Sequence, residues 1–349
     1  MWKKLLKEIQ PVSRKWLDKA GKRLDSLTKP RGSLGRLEEM ASRVVAIREE
    51  EKPCLENKEI FVFAGDHGVV SDGVSAYPQE VTSLMVRNFL SGGAGINVLA
   101  RAVGACVSII DIGMKEDLGD ANGLIRKNVG RATGNIANGP AMSREAAEEA
   151  IEVGVEMAGH AFDNGSFIIA SGEMGIGNTT PSSAVYGALL PAEISEVTGR
   201  GTGLDDEGLK HKIQVIKRAF EINRKRMVDP ISTLAAVGGF EIAGICGLCI
   251  GGAARRMIVV VDGFISGAGA LVAMRLNPLV KDYLFFSHLS SEKGHRIFFE
   301  REEIRPILDL DLRLGEGTGA AIAMQLIEDS VKIYNEMATF KEVGIEPGA

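Results

Sequence analysis

Residues 166–185 read SFIIASGEMGIGNTTPSSAV, and the architecture follows from this stretch. The apolar run Phe167–Ala170 has the length and composition of a strand buried on both faces. The glycines Gly172, Gly175 and Gly177 then break the pattern, as residues that can take positive φ and let backbone approach closely. Thr180 followed by Pro181 predicts the cap and first residue of a helix. A glycine turn feeding a helix N-terminus presents unpaired N–H groups and the positive end of the dipole, which suits a phosphate or carboxylate. Glu173 lies inside that turn, where an acid is useful only if it faces another part of the ligand. The stretch has neither the Gly-Lys-Ser/Thr ending of a P-loop nor the G-x-G-x-x-G spacing, which argues against an ATPase or a dinucleotide fold.

Outward from this stretch, near-continuous apolar runs alternate with helical segments. Strands are expected at Ile60–Ala64, Val107–Ile112, Phe167–Ala170, Met257–Val261 and Tyr283–Ser287, with a sixth at Leu308–Leu312. This is the pattern of βαβ units and a mainly parallel sheet with helices on both faces. Helices are expected over Pro78–Phe89 and over 143–162, the latter capped by Ser143. The first 52 residues carry two or three helices with charged faces. They are interrupted at TKPRGSLGRLEEM (28–40), where Ser33 is the expected cap and where Lys29 and Arg31 could meet an anion but are by default solvated.

The strand ends lead into loops rich in glycine and polar residues: GDHGV (65–69), DIGM (111–114), GEMGIGNTT (172–180), DGFISGAGA (262–270), SHLSSEKGH (287–295) and GEGTGAA (315–321). Ligands of open parallel sheets bind outside the carboxyl ends of the strands, so these loops are expected to share one cavity. Asp66, His67, His288 and His295 are expected to be hydrogen-bonded loop residues lining it. They lack metal-ligand spacing, and no metal site is expected. His160 and His211 read as helix-surface residues.

With 349 residues, 45% of them hydrophobic and 25% charged, the chain can bury a large core. A net charge of -5 gives no reason to expect nucleic acid or an anionic membrane as partner. MWKKLLKEIQ interleaves charge with apolar residues, unlike a signal peptide or anchor, so the expected location is the cytoplasm. Cys54, Cys106, Cys246 and Cys249 make no disulfide framework. The C-x-x-C of the last two lies in EIAGICGLCIGGAARR, which reads as a small-residue packing helix.

Glu316, between Gly315 and Gly317 at a helix start, is a poorly hydrated carboxylate suited to a general base, although residue type alone favours a plain helix-start acid. The motifs change that weighting. GEMGIGNTT (172–180), GRGTGLDDEGLKHK (199–212), VVDGFISGAGAL (260–271), SHLSSEKGH (287–295), LGEGTGAA (314–321), TKPRGSLGRLE (28–38) and FAGDHGVVSDGVSAYPQEVT (63–82) together resemble the nicotinate-nucleotide–dimethylbenzimidazole phosphoribosyltransferase family over nearly the whole chain.

The resemblance implies transfer of ribose 5-phosphate from nicotinate mononucleotide to 5,6-dimethylbenzimidazole. It also implies a homodimer, no cofactor, and a Rossmann-like parallel domain (53–324) with a small helical domain from the chain ends (1–52 with 325–349). Carried over by residue, Glu316 takes the general-base position and Glu173 that of a second active-site carboxylate. Gly175, Gly177, Asn178 and Thr179 take the phosphate and ribose loop, with Lys212 as phosphate cation. Tyr77, Met85 and Leu314 fall in the acceptor-base pocket, where Tyr77 and Met85 stand in place of smaller or more polar residues of some relatives. Rival readings are a sister transferase with another azole, purine or phenol acceptor, and a non-catalytic nucleotide sensor.

Overall fold

Strand β1 (Lys58–Gly65) is buried at every position, including its two charged residues. Lys58 reaches Glu328, and Glu59 accepts a hydrogen bond from Ser108 Oγ at 2.8 Å. Such a strand belongs in the middle of a covered parallel sheet. The computed structural model, which describes residues 1–190 and 192–345, places it there. The other strands are β2 (Ala105–Gly113), β3 (Leu124–Arg126), β4 (Ile168–Met174), β5 (Ile258–Val261) and β6 (Leu284–Phe286). They pair in parallel in the order β3-β2-β1-β4-β5-β6. The winding reverses between β1 and β4, which opens a crevice at the carboxyl edge where a ligand fits.

Five expected strands are present. Leu308–Leu312 is not a strand: only Leu308 bridges to His288, and Asp311 at φ 54 breaks the extended run. The three residues of β3 were not anticipated, because so short a segment inside a polar loop leaves no periodic signal.

β4 continues to Met174, four residues past the expected end. β1 reaches far enough to pair Phe63 with Glu173 and Ala64 with Met174. Glu173 is therefore a strand residue and not a turn residue. The next helix is Thr179–Leu189 with Asn178 in the cap position, so it begins before the predicted Thr180–Pro181. The helix expected from Pro78 begins at Val81, after turns at Pro78 and Gln79.

Ser143 caps the helix Arg144–Asp163, accepting from Ala146 N–H at 3.1 Å. The C-x-x-C helix, Phe240–Ala254, is buried on all sides. A Cβ at Gly154 would overlap Gly244 O and one at Gly247 would overlap Ile151 O, so small residues let these two helices cross in contact. Cys246 and Cys249 are free thiols there.

Near the N-terminus lie the helices Trp2–Glu8, Arg14–Ser26 and Arg36–Arg48. Ala20, Leu24, Leu27, Ala41 and Val45 form a small separate core with Tyr334 of the last helix, Thr318–Glu336. Trp2 packs instead into the main core. Ser33 does not cap Arg36–Arg48. The chain from Pro30 to Gly35 is a run of turns, and Gly35 at φ 52 takes the cap position. Lys29 is not solvated but buried against Glu38 at 2.7 Å. Among the described residues, no helix is long and apolar enough to cross a membrane.

Candidate active site

A cavity of about 420 Å³ opens at the carboxyl ends of β4, β5 and β6. Four of the six strand-end loops border it, at 172–180, 262–270, 287–295 and 315–321. The loops 65–69 and 111–114 do not. They brace each other instead, with Asp66 N–H donating to the Gly113 carbonyl at 2.9 Å and Asp66 Oδ2 accepting from Lys115 N–H at 2.9 Å.

Gly172 and Gly175 are not at positive φ; what they provide is close approach. A Cβ on Gly172 would overlap the carbonyl of Glu316, and one on Gly175 the carbonyl of Gly65. Gly177 alone of the three is left-handed, at φ 87, and turns the chain into the helix. It lies behind the cavity wall, against Val70.

Glu173 and Glu316 share this cavity. Gly315 sits against the Glu173 carboxyl, where a side chain would collide with it. Glu173 accepts a hydrogen bond from Asn178 Nδ2. Its pKa is nevertheless pushed up to about 8, by burial first and then by the nearby Asp262 and Glu241 carboxylates, which favours the neutral carboxyl.

Glu316 is 4% exposed and stands at φ 64 between Gly315 at φ 81 and Gly317 at φ 96. Its Oε2 accepts from Ile96 N–H at 3.1 Å, in the first turn of the helix Gly95–Ala102. Burial raises its pKa against that hydrogen bond, and Asp262 raises it further. This is the tuning a general base needs.

Asn178 and Thr179 bring a helix N-terminus to the cavity wall. Lys212 does not reach the wall. It is fully buried on the helix Asp206–Asn223, and its Nζ donates to Thr179 Oγ1 at 2.6 Å. Burial lowers its pKa to about 8, with Glu292 acting in the opposite direction. Gly201 lies directly over this pair, where a Cβ would stand 3.2 Å from Nζ. The lysine thus sits one hydroxyl behind the helix start.

Tyr77, Met85 and Leu314 line the open side of the cavity, with Tyr77 54% and Leu314 60% exposed. Sequence reasoning missed Phe264, Ile265, Glu292 and Arg313 on the wall, although the loops carrying the first three were singled out by their glycines.

Of the four loop residues expected to line the cavity, only His288 does. His67 is buried beneath Gly175, with Nε2 3.0 Å from Glu241 Oε1. Burial opposes its charge, but Glu241 prevails and raises its pKa. His295 is held neutral by burial among Phe264, Phe298 and Phe299, and its Nδ1 accepts from Ser290 N–H at 2.9 Å. His160 and His211 are exposed on helices, as expected.

A family model described as phosphoribosyltransferase matches residues 9–345. A nicotinate-nucleotide–dimethylbenzimidazole phosphoribosyltransferase of Pelodictyon phaeoclathratiforme is 56% identical over 96% of this chain and 95% of its own. The chain belongs to this phosphoribosyltransferase family. A protein of the same name from Geobacter sulfurreducens is also 56% identical, over 98% of this chain and 97% of its own. The crystal structure of CobT from Thermus thermophilus superposes with a TM-score of 0.91 at 45% identity, covering 96% of this chain and 100% of that one. Family membership makes the protein a transferase of phosphoribosyl groups, and the parallel α/β architecture is that of the Thermus protein.

Proposed function

We propose that the protein transfers the 5-phosphoribosyl group of nicotinate mononucleotide to 5,6-dimethylbenzimidazole, releasing nicotinate and α-ribazole 5′-phosphate for the lower nucleotide loop of cobalamin. The observation that carries the reading is the meeting of Glu316, Glu173 and the Asn178–Thr179 helix start in one cavity. In the nucleotide the leaving base is a pyridinium, so its ring nitrogen departs neutral and needs no acid, unlike the alkoxide of a glycoside. One nitrogen of the acceptor attacks C1′ while Glu316 removes the proton from the other. Attack opposite the leaving base converts β into α.

Glu173 stands beside the sugar. Burial favours its neutral form, and the pyridinium of the bound nucleotide favours the ionised form, which then stabilises positive charge developing on the ribose. The phosphate is the handle, held at Gly175–Thr179 with Lys212 acting through the Thr179 hydroxyl and Gly177 shaping the turn. Tyr77, Met85 and Leu314 flank the flat acceptor. No cofactor takes part in this chemistry.

The working unit in this reading is a cytoplasmic homodimer. Each chain has a parallel domain (53–324) and a small helical domain (1–52 with 325–349), of which 346–349 lie outside the described residues. The small core around Tyr334 supports that division.

The test is incubation with nicotinate mononucleotide and a panel of azoles, purines and phenols, with products identified by mass. Dimethylbenzimidazole should yield α-ribazole 5′-phosphate and one equivalent of nicotinate. Turnover only with a purine or phenol would assign a sister activity, and binding without turnover would leave a nucleotide sensor.

A further inference from the structure

Asp262 opens the DGFISGAGA loop at the carboxyl end of β5 and has no part in the chemistry above. It is buried, and its carboxylate is spent on backbone: Oδ2 accepts from Gly317 N–H at 3.2 Å and Oδ1 from Ala320 N–H at 2.9 Å. Both donors belong to the start of the helix Thr318–Glu336. The first also closes the turn Gly315–Glu316–Gly317, three successive residues at positive φ. A glutamate in that region is strained and persists only where its surroundings hold it.

The loop after β6 packs against the same residue from the other side. His288 Nδ1 lies 3.8 Å from Asp262 Oδ1, and Ser287 Oγ donates to the Asp262 carbonyl at 2.6 Å. Gly319 leaves room for the His288 ring, which any side chain there would strike. The strand-end loops after β5 and β6 and the start of the last helix thus meet at one residue.

We propose that Asp262 is a positioning residue for Glu316: by accepting the Gly317 and Ala320 N–H groups it holds the left-handed turn that presents the Glu316 carboxyl to the cavity. The inference rests on the reading of Glu316 as the base. Asp262 also acts through charge. The ionisable groups around it are Glu316, Glu173 on β4, His288 after β6 and, beyond Glu173, Glu241 at the start of Phe240–Ala254. After burial, the Asp262 carboxylate is what raises the pKa of Glu316. Removing that charge lets Glu316 lose its proton at lower pH.

Asp262→Asn keeps the size, removes the charge and turns one acceptor into a donor facing a backbone N–H. The expected result is a fall in kcat of about 100-fold, as for a small misplacement of a reacting group, with the nucleotide KM nearly unchanged. The acidic limb of the kcat/KM profile moves to lower pH, which a loss of fold stability alone would not produce. A parent-like kcat, or a limb that stays in place, overturns the proposal.

Should Asp262→Asn melt below the assay temperature, Asp262→Glu decides. It keeps the charge on a longer arm, so kcat falls while the limb stays, and a parent-like kcat again overturns the proposal. Glu316→Gln, run alongside, separates the two readings. Parent-like turnover in Glu316→Gln removes the base assignment and the positioning role with it. Parent-like turnover in Asp262→Asn beside an inactive Glu316→Gln removes the positioning role alone.

Discussion

Glu316 owes its place to three unlike supports: a left-handed backbone between two glycines, a donor from Ile96, and exclusion from bulk water. Glu316→Gln keeps the shape and an acceptor for Ile96 but cannot take a proton. Transfer should fall about 10²–10⁴-fold, the usual worth of a general base, with the nucleotide dissociation constant unchanged by calorimetry. Glu173 makes a second prediction through pH. Its folded pKa of about 8 lies above the ordinary 4.5, so between those values the folded chain holds a proton that the unfolded chain has lost. This group therefore subtracts stability as pH rises from 4.5, and the penalty is complete above 8. Glu173→Gln should melt higher than the parent, by a margin that widens across that interval; a constant margin in pH-resolved melting would refute the shift. Because a bound pyridinium favours the carboxylate, nicotinate mononucleotide should release a proton on binding below about pH 8. Titration calorimetry in buffers of different ionisation heat reads this directly. Glu173, Glu316 and Lys212 were identifiable as residue types within motifs, but their charge states were not, since those depend on neighbours from other segments.

At the scale of elements, the glycine turn after β4 and the helix Thr179–Leu189 act as one unit. Gly177→Ala places a Cβ at φ 87 and 2.6 Å from Val70 Cγ2. It should cost about 1–3 kcal/mol in a denaturant titration and raise the nucleotide KM by displacing the helix start. Lys212 allows a cleaner separation of fold from function. Lys212→Met removes an ammonium that burial already penalises, a gain set against the lost attraction to Glu292, so the melting temperature should change little. The nucleotide KM should nevertheless rise about tenfold or more, the worth of a charge-assisted hydrogen bond. An unchanged KM would reduce Lys212 to packing. Apolar runs marked five strands, and Ser143 marked a helix start through its own side chain. Strand lengths were less legible: β4 extends to Met174 only because β1 lies beside it, and Leu308–Leu312 fails as a strand because Asp311 turns left-handed.

At the scale of the whole molecule, the sheet changes winding direction between β1 and β4 and gathers four loops around one cavity. The open side of that cavity carries exposed Tyr77 and Leu314, and Leu84 and Leu310 are exposed a few residues away in the chain. A dimer that covers this surface should sediment at twice the 37.3 kDa of one chain, and a monomer at micromolar concentration in analytical ultracentrifugation would refute it. The sequence by itself determined the parallel α/β class, because apolar runs are a local property of the chain, and the family, because its motifs resemble that family over nearly the whole length. The roles of the glycine-rich loop and of Glu316 are what that resemblance implies. Only the tertiary structure decided that burial favours the proton on Glu173, that Lys212 stands behind Thr179, and that Asp262 accepts from the backbone of the Glu316 turn. Each of these arises from burial and from contacts between segments far apart in the chain, and local pattern carries no record of such neighbours.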